Sequence, residues 1–168
     1  MITLFNIRPF GLNVGNDAIF VAMQRLIYKA FGSLVNIISI PATSKYESHS
    51  IAGLSAQTIH RINQIGDGVI IGGGNLFENG EIEVNSNALK ALDVPMMIYS
   101  VSRGRVYNKN DKLVQRTDVI PDQKLLDLYG ASKINLLRDK ATFDYMKSIG
   151  CSNIEIGGCP TLHLNELN

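Results

Sequence analysis

Short runs of branched aliphatic residues recur along the chain, separated by stretches with helical periodicity, and this alternation limits the fold more than any other feature. The runs are ITLFNI (2–7), VNIISI (35–40), GVIIGG (68–73), PMMIYSV (95–101), INLL (134–137) and NIEIG (153–157). Several are apolar on both faces, the pattern of parallel strands covered by helices on each side. Between the first two, Ile19, Phe20, Met23, Leu26, Ile27, Ala30 and Phe31 form a stripe at helical spacing, with Asn16 as the expected cap, Asp17 complementing the dipole and Gly32 past the end. Further helices are expected through Ala56, Ile59, Ile62 and Ile65, over about 85–92, from Pro121 through Leu125, Leu126 and Tyr129 to Gly130, and from Asp139 to Gly150. Strand–helix alternation at this interval builds right-handed βαβ units. The expected fold is therefore α/β: one Rossmann-like domain over residues 1–168, with a doubly wound, mostly parallel sheet of about six strands and helices on both faces. One long segment, 102–119, has no periodicity and carries Arg103, Arg105, Lys109, Lys112 and Arg116; it reads as a solvated loop or a contact for an anionic ligand.

Charge and composition exclude several functions. Sixteen basic and fifteen acidic side chains nearly cancel, and there is no Trp, so neither a nucleic-acid footprint nor base-stacking platforms are expected. Cys151 and Cys159 are not in a CxxC pair and read as buried thiols of a reducing compartment. No run reaches the roughly 20 apolar residues of a membrane span, and the start, MITLFNIRPF, does not resemble a signal peptide. A cytoplasmic location is the expectation.

Ligands of open α/β sheets bind outside the carboxyl ends of the strands. Four unusual segments fall there: RPFGLNVGND (8–17), GGGNLFENG (72–80), SVSRGR (100–105) and LLRDKAT (136–142). Gly72, Gly73 and Gly74 with Asn75 either present bare amides to a ligand oxygen or only allow a tight turn and close helix packing. Asn13, Gly15, Asn16 and Asp17 open a helix whose free N–H groups suit an anion or hydroxyl, or simply cap it. Arg138 can clamp a carboxylate or phosphate, while Asp139 reads as a helix cap. Ser102 and Arg103 complete the rim.

Other chemistries lack their residues. The first turn is not GxGxxG, the second strand ends in Ile40-Pro41-Ala42 without an acid, and no GK[ST] ends a phosphate loop. No GxSxG elbow or HExxH helix occurs. His49, His60 and His163 have no adjoining nucleophile pattern and read as non-catalytic. Glu78, Glu81 and Glu83 read as surface acids, with a sugar-binding or basic role as the alternative.

NVGND (13–17), GDGVIIGGGNLF (66–77), LLRDKAT (136–142) and GGCPTL (157–162) together resemble the polysaccharide pyruvyl transferase family, in the family's order and over nearly the whole chain. The glycine block is the most specific part. GND stands where Gly-Asp is common, and Cys159 stands where an acid is common. The resemblance implies transfer of an enolpyruvyl group from phosphoenolpyruvate to a sugar diol in exopolysaccharide or cell-surface glycan synthesis, with no cofactor beyond that co-substrate. Such chemistry needs a general acid and a cationic cradle. It also implies a glycosyltransferase-B-like enzyme of two Rossmann-like halves. This chain would be the acceptor-side, amino-terminal half, with a second domain or chain completing the cleft. The family's basic and histidine residues for phosphoenolpyruvate are then expected mainly in the other half, so no histidine here is assigned to it.

Two rival readings are a non-catalytic α/β module for binding or oligomerisation and a flavodoxin-like enzyme with an anionic cofactor.

Overall fold

The computed structural model describes residues 1–10, 13–45, 51–78 and 82–167, excluding the side chains of Gln115, Glu166 and Leu167. His49 and Glu81 lie outside the described residues. Strand β1 (Ile2–Arg8) leads into helix α1 (Val14–Phe31), and a 3-10 turn (Gly32–Leu34) redirects the chain into β2 (Val35–Pro41). Helix α2 (Ala56–Ile65), β3 (Gly68–Gly74), the single-turn α3 (Ser86–Leu89) and β4 (Met96–Val101) come next. A hairpin of β5 (Arg105–Tyr107) and β6 (Leu113–Gln115) precedes α4 (Asp122–Ala131). The chain then forms β7 (Ile134–Leu137), α5 (Lys140–Ser148), β8 (Glu155–Ile156) and a 3-10 stretch, Pro160–Leu167.

Six strands pair in the order β2-β1-β3-β4-β7-β8, every pair parallel. The fold is the α/β, doubly wound, Rossmann-like sheet that the alternation implies. Because β1 alternates, Phe5 and Ile7 face one side of the sheet while Leu4 and Asn6 face the other. On the first side Phe5, Ile7 and Ile71 join Ile59 and Ile62 of α2, Leu125 of α4 and Met146 of α5 in the larger core. On the second side Leu4, Val35 and Ile70 pack under Ile19, Met23 and Ile27 of α1. The 3-10 stretch Pro160–Leu167 lies beside α1, with Arg25 donating to the Leu164 carbonyl at 3.4 Å.

The chain runs outward from β1 to β2 and then returns past β1 to β3. The switch point therefore falls between β1 and β3, and in such sheets ligands bind there, outside the carboxyl ends of the strands. A bulge interrupts β4: the pairing with β7 shifts between Tyr99 and Val101, and Ser100 adopts φ 60° with its hydroxyl buried and without a hydrogen-bond partner among the described residues. Bulges next to a strand end re-aim the side chains beyond them, here Ser102 and Arg103.

Several expectations need correction. The segment 102–119 is not irregular throughout, since β5 and β6 pair antiparallel within it. Only four residues of the third expected helix are helical. α4 continues through Gly130 to Ala131 before Ser132 ends it. The last strand is two residues long, and Ile65 is half exposed at the end of α2. Cys151 is buried as expected, but Cys159 is only partly so.

Candidate functional site

The rim is built outward from the switch point. Asn13, not Asn16, caps α1: its side-chain oxygen accepts from the Gly15 amide at 2.9 Å. The helix starts three residues earlier than the apolar stripe indicates, because the first turn carries no large apolar residue facing the sheet. Asn16 is thereby free for another contact, and its Oδ1 lies 2.9 Å from where a Gly74 Cβ would stand. Asp17 pairs with Arg8 at 3.7 Å. The Arg8 guanidinium is stacked on Phe10 at 4.1 Å and Phe20 at 3.8 Å from the ring centroids. Burial pushes its pKa down, and Asp17 pushes back.

Gly72, Gly73 and Gly74 are buried at the end of β3. A Cβ on Gly72 would sit 2.8 Å from Asn6 Oδ1, and one on Gly73 would sit 2.2 Å from Ile19 Cγ2. Gly73 and Gly74 also have φ of 67° and 84°. Asn6 of β1 leaves no room for a side chain at Gly72, and close approach of α1 together with left-handed backbone accounts for glycine at 73 and 74. The residue that faces the rest of the rim is Asn75.

Asn75 ties three strand ends together. Its Oδ1 accepts from Ser102 Oγ at 3.0 Å and from Arg138 Nη2 at 3.0 Å. The main chain supports this knot, with Ser102 N donating to the Gly74 carbonyl at 3.1 Å and Arg138 N to the Val101 carbonyl at 3.2 Å. Ser102 is buried. Arg103 comes next, with its amide on Thr142 Oγ1 at 3.0 Å and its guanidinium 3.7 Å from the Tyr145 ring centroid. Asp139 caps α5 through the Thr142 amide at 2.8 Å and lies 3.9 Å from Arg138 Nε. The structure thus brings Asn75, Ser102 and Arg138 into direct contact, sets Arg103 next in the chain, and places Asn13, Gly15, Asn16 and Asp17 across Gly74 from them.

Glu78 is not the surface acid that the sequence favours over a sugar-binding or basic role. The residue is 1% exposed, and among the described residues its Oε1 has no hydrogen-bond partner. Burial raises its pKa, against the pull of Arg116, Arg138 and Arg103; Asp118 adds to the rise. Glu83 differs. It is half-buried, and although burial favours its neutral form, bonds from Ser44 N at 2.6 Å, Ser44 Oγ at 2.5 Å and Thr43 Oγ1 at 3.3 Å hold its pKa below the ordinary value. Arg8 and Arg116 fall within two segments that the sequence picks out, RPFGLNVGND (8–17) and 102–119, but Tyr145 lies outside all of them. Tyr145 carries no such signal, since it lies well inside α5 and reaches the rim only through its ring contact with Arg103.

A hollow of about 690 Å³ opens at the opposite end of the strands, before β4 and β7, lined by Leu89, Lys90, Pro95, Asp127 and Lys133 among others, and contains none of these residues. No group of three or more acidic, histidine or cysteine side chains suited to a metal occurs among the described residues. Nor is any described helix long and apolar enough to cross a membrane.

The model of the polysaccharide pyruvyl transferase family matches residues 13–168, from the cap of α1 to the end of the chain. The chain belongs to this family. No curated protein and no solved structure matches it. Membership gives the rim its context in a pyruvyl transferase-like domain: a polar arc of Asn16, Asn75, Ser102 and Arg138, held by main-chain bonds, with a glycan acceptor as the class of substrate the family implies.

Proposed function

We propose that this pyruvyl transferase-like domain is the acceptor-side half of an enzyme that moves an enolpyruvyl group from phosphoenolpyruvate to a sugar diol, in exopolysaccharide or cell-surface glycan synthesis. In the reaction a general acid protonates the donor's methylene carbon, and one sugar hydroxyl adds to the carbon bearing the phosphate ester. Inorganic phosphate leaves and the second hydroxyl closes the ketal; one hydroxyl proton restores the general acid and the other goes to the leaving phosphate oxygen. Asn13, Asn16 and Asp17 at the start of α1 offer hydrogen bonds to sugar hydroxyls. Arg138 and Arg103, aligned by Asn75, Ser102 and Tyr145, offer cationic contacts to the donor's carboxylate or phosphate. A second domain or chain closes the cleft and supplies further donor contacts.

The observation that carries this reading is the Asn75 knot, in which one amide oxygen at the switch point orients Ser102 and Arg138 from two other strand ends. Calorimetric titration of the chain with phosphoenolpyruvate and with candidate diol sugars tests it. Binding of either ligand, weakened about tenfold or more in Arg138→Gln or Asn16→Ala, is expected. Failure of both ligands to bind this chain, and any longer protein that contains it, would remove the proposal.

A further inference from the structure

Glu78 lies between the two legs of the β5–β6 hairpin. On the outgoing leg, Gly104 packs so closely that a Cβ there would stand 2.6 and 3.0 Å from the two carboxylate oxygens. On the return leg, Glu78 forms an antiparallel bridge with Val119, and Ile120 N donates to the Phe77 carbonyl at 2.9 Å. The side chain of Glu78 therefore lies against one leg while its backbone pairs with the other. Arginines stand around this carboxylate from three sides: Arg103 adjoins Gly104, Arg116 is held by Asp118 beside Val119, and Arg138 meets Ser102 through Asn75. Three guanidinium groups at one rim repel one another unless a counter-charge holds them. Arg116 is also forked onto the partly exposed Asp118 at 2.8 and 2.6 Å, and Arg138 already reaches Asn75.

We propose that Glu78 is a positioning residue that gathers Arg103, Arg116 and Arg138 into one anion-binding arc at the base of the hairpin, for a doubly charged oxyanion of the phosphate class. The ligand class rests on the reading given above; the arc itself rests on the burial of Glu78 and its contacts with both legs. Glu78 is too buried to touch the anion, so it acts through the arginines.

Two physical effects of removing its charge have opposite signs, which makes the test sharp. If Glu78 were only a nearby negative charge, Glu78→Gln would tighten anion binding. If it holds the arginines, the same change loosens binding. The stability effect is separate. A carboxyl whose folded pKa is raised subtracts stability as pH rises through that value, with Arg103, Arg116, Arg138 and Asp118 as the charged groups around it. Glu78→Gln is therefore expected not to lower the thermal midpoint at neutral pH, whereas a residue serving only the fold would lower it.

Sulfate, which stays a dianion across the working range, is the probe, with phosphoenolpyruvate in a parallel titration. The expected results are sulfate binding by the wild-type chain and about tenfold weaker binding by Glu78→Gln. Wild-type affinity should fall as pH drops through the raised carboxyl pKa, and Glu78→Gln should show no such step. Arg116→Gln, outside the core, should weaken sulfate binding comparably and carries the test if the Glu78 variant does not fold. Unchanged or tighter sulfate binding in these variants overturns the proposal, as does a wild-type chain that binds no sulfate. Sulfate binding that weakens as stated, without any binding of phosphoenolpyruvate, upholds the arc and removes the donor reading instead.

Discussion

At Gly73 a methyl group would stand 2.2 Å from Ile19 Cγ2, on a backbone held at φ 67°. Neither problem can be relieved by a rotamer change, since Ile19 is itself buried on the sheet-facing side of α1. Gly73→Ala is therefore expected to cost about 2–4 kcal/mol, from overpacking and left-handed strain together. Gly130 is the contrast: it lies in α4 with nothing within 4 Å of its missing Cβ. Gly130→Ala should stabilise by about 0.5–1 kcal/mol. Urea denaturation of both variants checks the pair, and equal effects at the two positions would show that close helix packing is not what Gly73 serves. The triple glycine was legible in the sequence as a place of close approach, but what approaches was not. Its partners, Asn6, Ile19 and Asn16, lie on β1 and α1, more than fifty residues away in the chain. Glu78 was illegible for a similar reason. A carboxylate in a Gly- and Asn-rich stretch looks exposed until the return leg of a hairpin is laid over it.

Elements were read best where period and boundary agree. The Asp139 cap of α5 belongs to this class: Arg138-Asp139 ends a strand and begins a helix, and the Asp139 oxygen takes the Thr142 amide at 2.8 Å. Thr142 in turn receives the Arg103 amide, so this cap supports the rim as well as the helix. Asp139→Ala is expected to cost about 1 kcal/mol of stability, and Asp139→Asn much less, because the amide oxygen still caps. Thermal unfolding of the two variants decides, and equal losses would mean that the charge beside Arg138 matters more than the cap. The α1 boundary was read less well, since Asn13 and Asn16 are both acceptable caps and only the backbone turn chooses between them. The hairpin is not legible in the sequence. Val106, Tyr107 and Leu113 are exposed, so its two short strands have no apolar face buried in the core and leave no period-two signature.

For the molecule as a whole, alternation of strand and helix was enough to give a parallel α/β sheet, because buried parallel strands must be apolar on both faces. It could not give the strand order, which depends on whether each crossover passes to one side of β1 or the other. That order has a measurable consequence. β1 and β3 are flanked on both edges by partners and covered on both faces, whereas β8 is a two-residue edge and β5–β6 stand apart from the main sheet. Amides of Phe5–Ile7 and Val69–Ile71 should therefore exchange with solvent only through global unfolding, and those of β8 and the hairpin through local opening at much lower free energy. Native-state hydrogen exchange over a denaturant series distinguishes the two classes by slope. If the hairpin amides tracked global unfolding, the arm would be part of the cooperative core. Glu78 would then be holding up the fold itself instead of setting the arginines of the rim above it.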